Sequence, residues 1–186
     1  MTELSPTAYL RSKIRDVPDF PKPGILFKDI TPLVGDARAL HISLDLLAHR
    51  YIGRRVDLVV GVESRGFIFG GALAARLNAG FVPVRKPGKL PYKSAKVAYA
   101  LEYGEAELEM HVDAVVSGAE VLIVDDLLAT GGTASAAAEL VRNHGGAVAG
   151  FAFVVELDFL GGRARLLGSS PPREGVHALV HYGAGE

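Results

Sequence analysis

The chain has 186 residues, 49% of them hydrophobic, with 20 Lys and Arg against 21 Asp and Glu. That length suits one domain with a core of its own, and a formal charge of −1 offers no global attraction for nucleic acid or an anionic membrane surface. The absence of cysteine excludes disulfide frameworks, thiolate zinc sites and thiol nucleophiles, and fits a reducing compartment.

Ser5-Pro6 opens the first helical pattern, Ser as N-cap and Pro at the first helical position, and the pattern runs to about Arg15. Val17 to Gly24 holds three prolines and a glycine, so it reads as a stiff loop carrying Phe20 and the apolar run Ile25-Leu26-Phe27. Asp36 begins a long amphipathic helix with Leu40, Leu44, Leu47 and Tyr51 at helical spacing. Val56 to Val62 predicts a buried strand, Phe67 to Leu77 a helix, and Phe81 to Arg85 a second strand. Lys86 to Ala100 is basic and aperiodic, more loop than element, whereas Tyr99 to Tyr103 and Glu107 to His111 alternate like a hairpin around Gly104. Strand Val121 to Val124, helix Thr133 to His144, strand Val148 to Leu157, short helix Phe159 to Leu166 and strand Val176 to His181 complete the chain.

Strands alternating with helices imply an α/β fold with a mainly parallel sheet, helices on both faces and ligand sites at the carboxyl ends of the strands. The longest run without an ionisable side chain, Leu127 to Ala138, falls short of the roughly 18 apolar residues of a membrane span. Met1 to Leu4 lacks the basic and apolar regions of a leader, so a single cytoplasmic domain over residues 1–186 is expected, with no membrane and no nucleic acid partner. None of the six histidines has ligand spacing.

Chemistry concentrates where strand Val121 to Val124 enters Asp125-Asp126-Leu127-Leu128-Ala129-Thr130-Gly131-Gly132-Thr133. The turn and helix start offer unpaired amides, a favourable dipole end and the hydroxyls of Thr130 and Thr133, which suit a phosphate monoester. Neither the nucleotide triphosphate loop nor the dinucleotide turn pattern is present. Two carboxylates would repel a phosphate, so Asp125 and Asp126 suit sugar hydroxyls, directly or through Mg²⁺. The array reads as a site for a phosphorylated sugar.

Gly61-Val62-Glu63-Ser64-Arg65-Gly66-Phe67 is a second strand end turning into a helix, where Arg65 suits an ion pair as well as a ligand. Gly61, Gly66, Gly131 and Gly132 stand where backbone would approach phosphates. Arg85, Lys86, Lys89, Lys93 and Lys96 form the one dense basic cluster; alone it reads as a solvated loop.

Together these segments resemble the type I phosphoribosyltransferases, and the wording Leu-Leu-Ala-Thr-Gly-Gly-Thr resembles their adenine-using branch. Further matches are Pro18-Asp19-Phe20-Pro21 with Gly24, Phe27 to Ile30, Arg85 to Pro91, and Leu101 to Gly104. The resemblance implies transfer of a 5-phosphoribosyl group from phosphoribosyl pyrophosphate (PRPP) to adenine, giving AMP and pyrophosphate, with Mg²⁺ carried on PRPP and met by Asp125 or Asp126 through water. Ala129, Thr130, Gly131, Gly132 and Thr133 would hold the 5-phosphate, and Asp125 and Asp126 the ribose hydroxyls. Glu63, Ser64, Arg65, Lys86 and Lys89 would meet pyrophosphate around a cis peptide at Glu63-Ser64. Arg85 would join them or reach across a homodimer.

Glu102 and Tyr103 would lie on a flexible hairpin lid that excludes water, with Glu102 near the base for proton transfer; read alone, Glu102 simply faces solvent. Leu26, Phe27 and Lys28 would read adenine through backbone groups, with Leu127 packing on the ring, although Phe20, Leu26 and Phe27 also suit a core. Lys28 stands where the family pattern leads one to expect arginine. Residues 1 to about 35, with C-terminal residues, would form a small hood. A phosphoribosyltransferase for xanthine or hypoxanthine, a PRPP-sensing regulator, and a phosphosugar-binding module without chemistry are the alternatives.

Overall fold

A computed structural model describes residues 4–100, 105–168 and 171–186. The chain divides into two compact units, Met1–Leu46 and Leu47–Glu186.

In the first unit, α1 (Pro6–Ser12) is capped as its sequence predicts, Ser5 Oγ accepting from the Ala8 amide at 3.2 Å. The helix stops short of Arg15 because the chain there becomes a strand: β1 (Arg15–Pro18) pairs antiparallel with β2 (Leu26–Asp29). Pro18 ends its strand at the edge of a two-stranded ribbon, where a missing amide is tolerated. Between them the chain turns through Asp19 at φ 57°, a cis Phe20-Pro21 bond and Gly24 at φ 86°. Asp19 Oδ1 accepts the Gly24 amide at 2.8 Å. Phe20 is half exposed and packs its ring edge-on to Phe27, so it is not a core residue. A short α2 (Thr31–Gly35) precedes α3 (Ala37–His49), whose start is capped by Asp36 Oδ1 accepting from the Ala39 amide at 3.0 Å.

The second unit is built on a five-stranded, wholly parallel sheet in the order β4-β3-β7-β8-β9. Its strands are β3 (Leu58–Val62), β4 (Gly80–Val84), β7 (Glu120–Leu128), β8 (Ala147–Leu157) and β9 (Val176–Tyr182). Val60, Val62, Val121 and Ile123 share a buried cluster with Ala137, Leu140 and Val141 of α5 (Gly132–Asn143). The intervening Val59, Leu122 and Val124 are buried too, as a parallel sheet covered on both faces requires. The helix α4 (Gly66–Leu77) packs on β3 and β7.

The segment expected as basic loop contains a strand. β5 (Ser94–Ala100) pairs antiparallel with β6 (Glu105–His111), Ser94 opposite His111 and Val97 opposite Leu108. Its alternation is muted by alanine, yet Ala95, Val97 and Tyr99 turn one face onto the core cluster while Lys96 and Ala98 are exposed. The expected short helix Phe159 to Leu166 is split, a 3₁₀ turn (Asp158–Leu160) and α6 (Gly162–Leu167) meeting at Gly161 with φ 68°. Among the described residues no helix is long and apolar enough to cross a membrane.

Candidate active site

Parallel pairing of β3 with β7, Gly61 opposite Val124, brings the two strand ends expected to carry chemistry side by side. A cavity of about 440 Å³ opens there, lined by Glu63, Ser64 and Arg65 from the first turn and by Asp125 through Ala134 from the second, with Lys86, Tyr99 and Leu108. Every residue of the phosphate-type motif is thus gathered in one place.

The second turn is shaped for an anion. Gly131 adopts φ 76°, and the first helical hydrogen bond of α5 runs from the Ser135 amide to the Gly131 carbonyl at 2.9 Å. The amides of Gly132, Thr133 and Ala134 therefore have no acceptor within the helix, at its positive dipole end. Thr130 is exposed in the cavity wall, and Thr133 donates to the Tyr99 hydroxyl at 3.5 Å. Sequence reasoning missed Tyr99, placed here by strand β5.

The strand β7 continues through Leu128, with Leu127 and Leu128 still paired to β8, so Asp125 and Asp126 are strand residues rather than loop residues. Asp126 is buried, and its Oδ2 accepts from Arg65 Nε at 2.6 Å. Asp125 Oδ1 accepts the Asp126 amide at 2.8 Å. Burial pushes the Asp125 carboxyl well above the usual carboxylate range, the neighbouring Asp126 charge adds to this, and Arg65 opposes it. Acid and base therefore meet here, in the pair of Arg65 with Asp126. The donor set of two carboxylates, one already paired, falls short of a resident Mg²⁺ cage and fits an ion that brings phosphate oxygens and water of its own.

At the first turn the Glu63-Ser64 peptide is cis. Arg85 Nε donates to Glu63 Oε2 at 2.8 Å and its Nη1 to the Lys89 carbonyl at 3.0 Å, with the guanidinium 5.9 Å from the Phe67 ring. Of the basic cluster, Lys86 lines the cavity, whereas Arg85, Lys89, Lys93 and Lys96 are not in its wall.

Gly61 and Gly66 are both required by packing. A methyl group on Gly61 would lie 2.6 Å from the Phe81 ring, and one on Gly66 would lie 2.9 Å from both Asp125 Oδ1 and the Val124 carbonyl. Gly162 escaped sequence reasoning altogether: a methyl there would overlap the Ala129 carbonyl oxygen and lie 2.8 Å from Leu128, so α6 presses directly under the phosphate-type turn.

Of the residues expected to read a base, Leu127 lines the cavity. Leu26, Phe27 and Lys28 belong to the first unit, on β2. The Lys28 ammonium is buried on Asp16 Oδ1 at 2.7 Å, its cross-strand partner, so the side chain has a structural post and leaves only backbone to a ligand. Glu102 and Tyr103 lie outside the described residues.

Glu156, Asp158 and His181 also bring ligand atoms within 4.8 Å of one another. Arg163 grips both oxygens of Glu156, so the group is a salt-bridge cluster rather than an open cation site.

The phosphoribosyl transferase domain model matches residues 37–167. An adenine phosphoribosyltransferase of Sorangium cellulosum is 72% identical over 178 residues, covering 96% of this chain and 89% of that one. One from Acidobacterium capsulatum is 58% identical over 93% of each chain. The crystal structure of adenine phosphoribosyltransferase from Rhodothermus marinus superposes with a TM-score of 0.89 at 50% identity, covering 95% of this chain and 98% of that one. The Saccharomyces cerevisiae enzyme, complexed with an imino-altritol bisphosphate and adenine, superposes with a TM-score of 0.85 at 40% identity, covering 94% and 98%.

Proposed function

The chain belongs to the phosphoribosyl transferase family, and from that premise we propose that it transfers the 5-phosphoribosyl group of PRPP to adenine, forming AMP and pyrophosphate in purine salvage. The observation that carries this is the cavity at the paired ends of β3 and β7, where a helix start with unpaired amides, two carboxylates of β7 and two cations converge. High identity to adenine phosphoribosyltransferases along nearly the whole chain supports the choice of base.

The amides of Gly132 to Ala134 with the Thr130 and Thr133 hydroxyls take the 5-phosphate, and Ala129 and Gly131 shape the turn. Asp125 and Asp126 accept from the ribose hydroxyls, Asp126 held at its post by Arg65. As the bond from ribose C1 to pyrophosphate breaks and a ring nitrogen of adenine takes its place, negative charge grows on the leaving group, and Arg65 and Lys86 answer it beside the Glu63-Ser64 turn. Lys89 acts through the loop that carries Lys86, and Arg85 braces Glu63; service by Arg85 in a partner's site would have to release Glu63. Mg²⁺, arriving with PRPP, supplies further neutralisation of the departing phosphates. Glu102 with Tyr103 manages the proton at the base, and Leu127 packs on the adenine ring. A lid is required because water would capture an oxocarbenium-like ribose. A cytoplasmic homodimer completes the reading by resemblance.

The test is steady-state assay with PRPP, Mg²⁺ and adenine for the wild type and Lys86→Ala. A rise of about tenfold or more in KM for PRPP with little change for adenine is expected from losing one cation at the phosphate end. Equal effects on both substrates would remove Lys86 from that role.

A further inference from the structure

Glu109 lies on β6 and is 2% exposed. A buried glutamate with no partner would be costly, and Glu109 has several. Oε1 accepts the amides of Lys89 at 3.2 Å and Leu90 at 3.3 Å, and Oε2 accepts the Ser94 hydroxyl at 2.9 Å. Its backbone closes a two-way bridge with Arg85, whose amide donates to the Glu109 carbonyl at 3.0 Å and whose carbonyl accepts in return at 2.7 Å. Lys96 stands opposite it across the hairpin. Burial pushes the carboxyl up, but the Ser94, Leu90 and Lys89 hydrogen bonds with the Lys96 charge outweigh it and hold it below the ordinary carboxylate range.

These contacts clasp both ends and the middle of one segment. Residues 85–94 leave β4, pass Lys86 at the cavity wall, turn through Gly88 at φ 77° and enter β5 at Ser94. Side-chain packing does little to hold this stretch, since Lys86 to Lys89 and Pro91 to Lys93 are exposed. The carboxylate of Glu109 is the buried point to which its backbone is tied.

We propose that Glu109 is the positioning residue of the pyrophosphate end: clasping the amides of Lys89 and Leu90 and the Ser94 hydroxyl, it fixes the 85–94 loop so that Lys86 is presented to the leaving group. The proposal rests on the phosphoribosyl-transfer reading of the cavity. It specifies that Glu109 acts on the pyrophosphate side alone, through the loop, and touches neither ribose nor base. Ser94 shares in the clasp.

The experiment compares wild type, Glu109→Gln and Ser94→Ala in both directions of the reaction. Amide exchange at Lys89 and Leu90 is followed by NMR, and thermal unfolding serves as a check of folding. Glu109→Gln keeps one acceptor but loses the charge, so KM for PRPP forward and for pyrophosphate in reverse should each rise about tenfold. KM for adenine and for AMP should stay within about twofold, and the Lys89 and Leu90 amides should exchange faster. Ser94→Ala, which buries no new polar atom, should move the same constants the same way by about threefold. A folded Glu109→Gln with unchanged PRPP and pyrophosphate constants overturns the proposal, as does an equal loss on all four substrates. If Glu109→Gln does not fold, Ser94→Ala decides by the same criterion. A wild type without PRPP-dependent turnover would instead overturn the functional reading, leaving the amide-exchange result to report on the clasp itself.

Discussion

Arg65 donates to Asp126 across 2.6 Å and thereby ties the turn after β3 to the end of β7. Asp126 is almost wholly buried and Arg65 is 41% exposed, so the bond anchors a solvent-facing cation to a fixed acid. The two residues assigned from sequence to opposite ends of the substrate are one unit.

That pairing sets the first prediction. Arg65→Ala and Asp126→Asn should each slow turnover by on the order of 100-fold, since each strips an electrostatic contact aimed at the reacting groups. The double variant should cost far less than the product of the two, because either single change already releases the partner. Steady-state kinetics on the four proteins measures the coupling, and simple multiplication would show that the two act separately.

Gly162→Ala is expected to weaken PRPP binding without touching substrate. Its methyl must displace the Ala129 carbonyl, opening the turn that cradles the 5-phosphate. An increase of about tenfold in Kd for PRPP is predicted, by analogy with the 1–3 kcal/mol cost of overpacking a tight contact. Titration of PRPP by calorimetry checks it.

The reach of the sequence is uneven for physical reasons. Strand Val121 to Val124 and the turn beyond it were legible because a continuous apolar run followed by small residues is a local pattern. The Gly61 to Phe67 turn was legible for the same reason. Strand β5 was hidden because alanines blur its alternation, and it becomes a strand only by pairing with β6. Glu109 was invisible because a glutamate between Leu108 and Met110 reads as facing water, and only the returning 85–94 loop buries it. Gly162 is explained by a contact more than thirty residues away, beyond the reach of any local rule.

Acid should loosen the first unit through Asp36. Its carboxyl is held down to about 2 by the Lys13 ammonium, then by the Ala39 amide and the Tyr9 hydroxyl. The folded value lies below the unfolded value of 3.8, so the unfolded chain binds more protons in between. The contribution is present above pH 4 and lost as pH falls towards 2. Asp36→Asn should flatten that part of the stability curve, measured by denaturant titration from pH 2 to 6.

Asp125 acts with the opposite sign. Its folded carboxyl titrates well above 3.8, so the folded state binds more protons and stability declines as pH rises from about 4 through the folded value. Asp125→Asn should therefore unfold at a higher temperature than wild type near neutral pH and show a smaller difference near pH 4. Loss of ribose contacts should lower its turnover in the same samples. A variant that is less stable than wild type at pH 7 would contradict this account of the buried pair.

The most direct measurement is a base panel: the purified chain with PRPP, Mg²⁺ and adenine, hypoxanthine, xanthine or guanine, following nucleotide and pyrophosphate together. The account predicts AMP and pyrophosphate in equal amounts, with kcat/KM for adenine at least about 100-fold above the oxopurines, as expected of a site that hydrogen-bonds the base edge. No PRPP-dependent consumption of adenine, or faster turnover of hypoxanthine or xanthine, would contradict it.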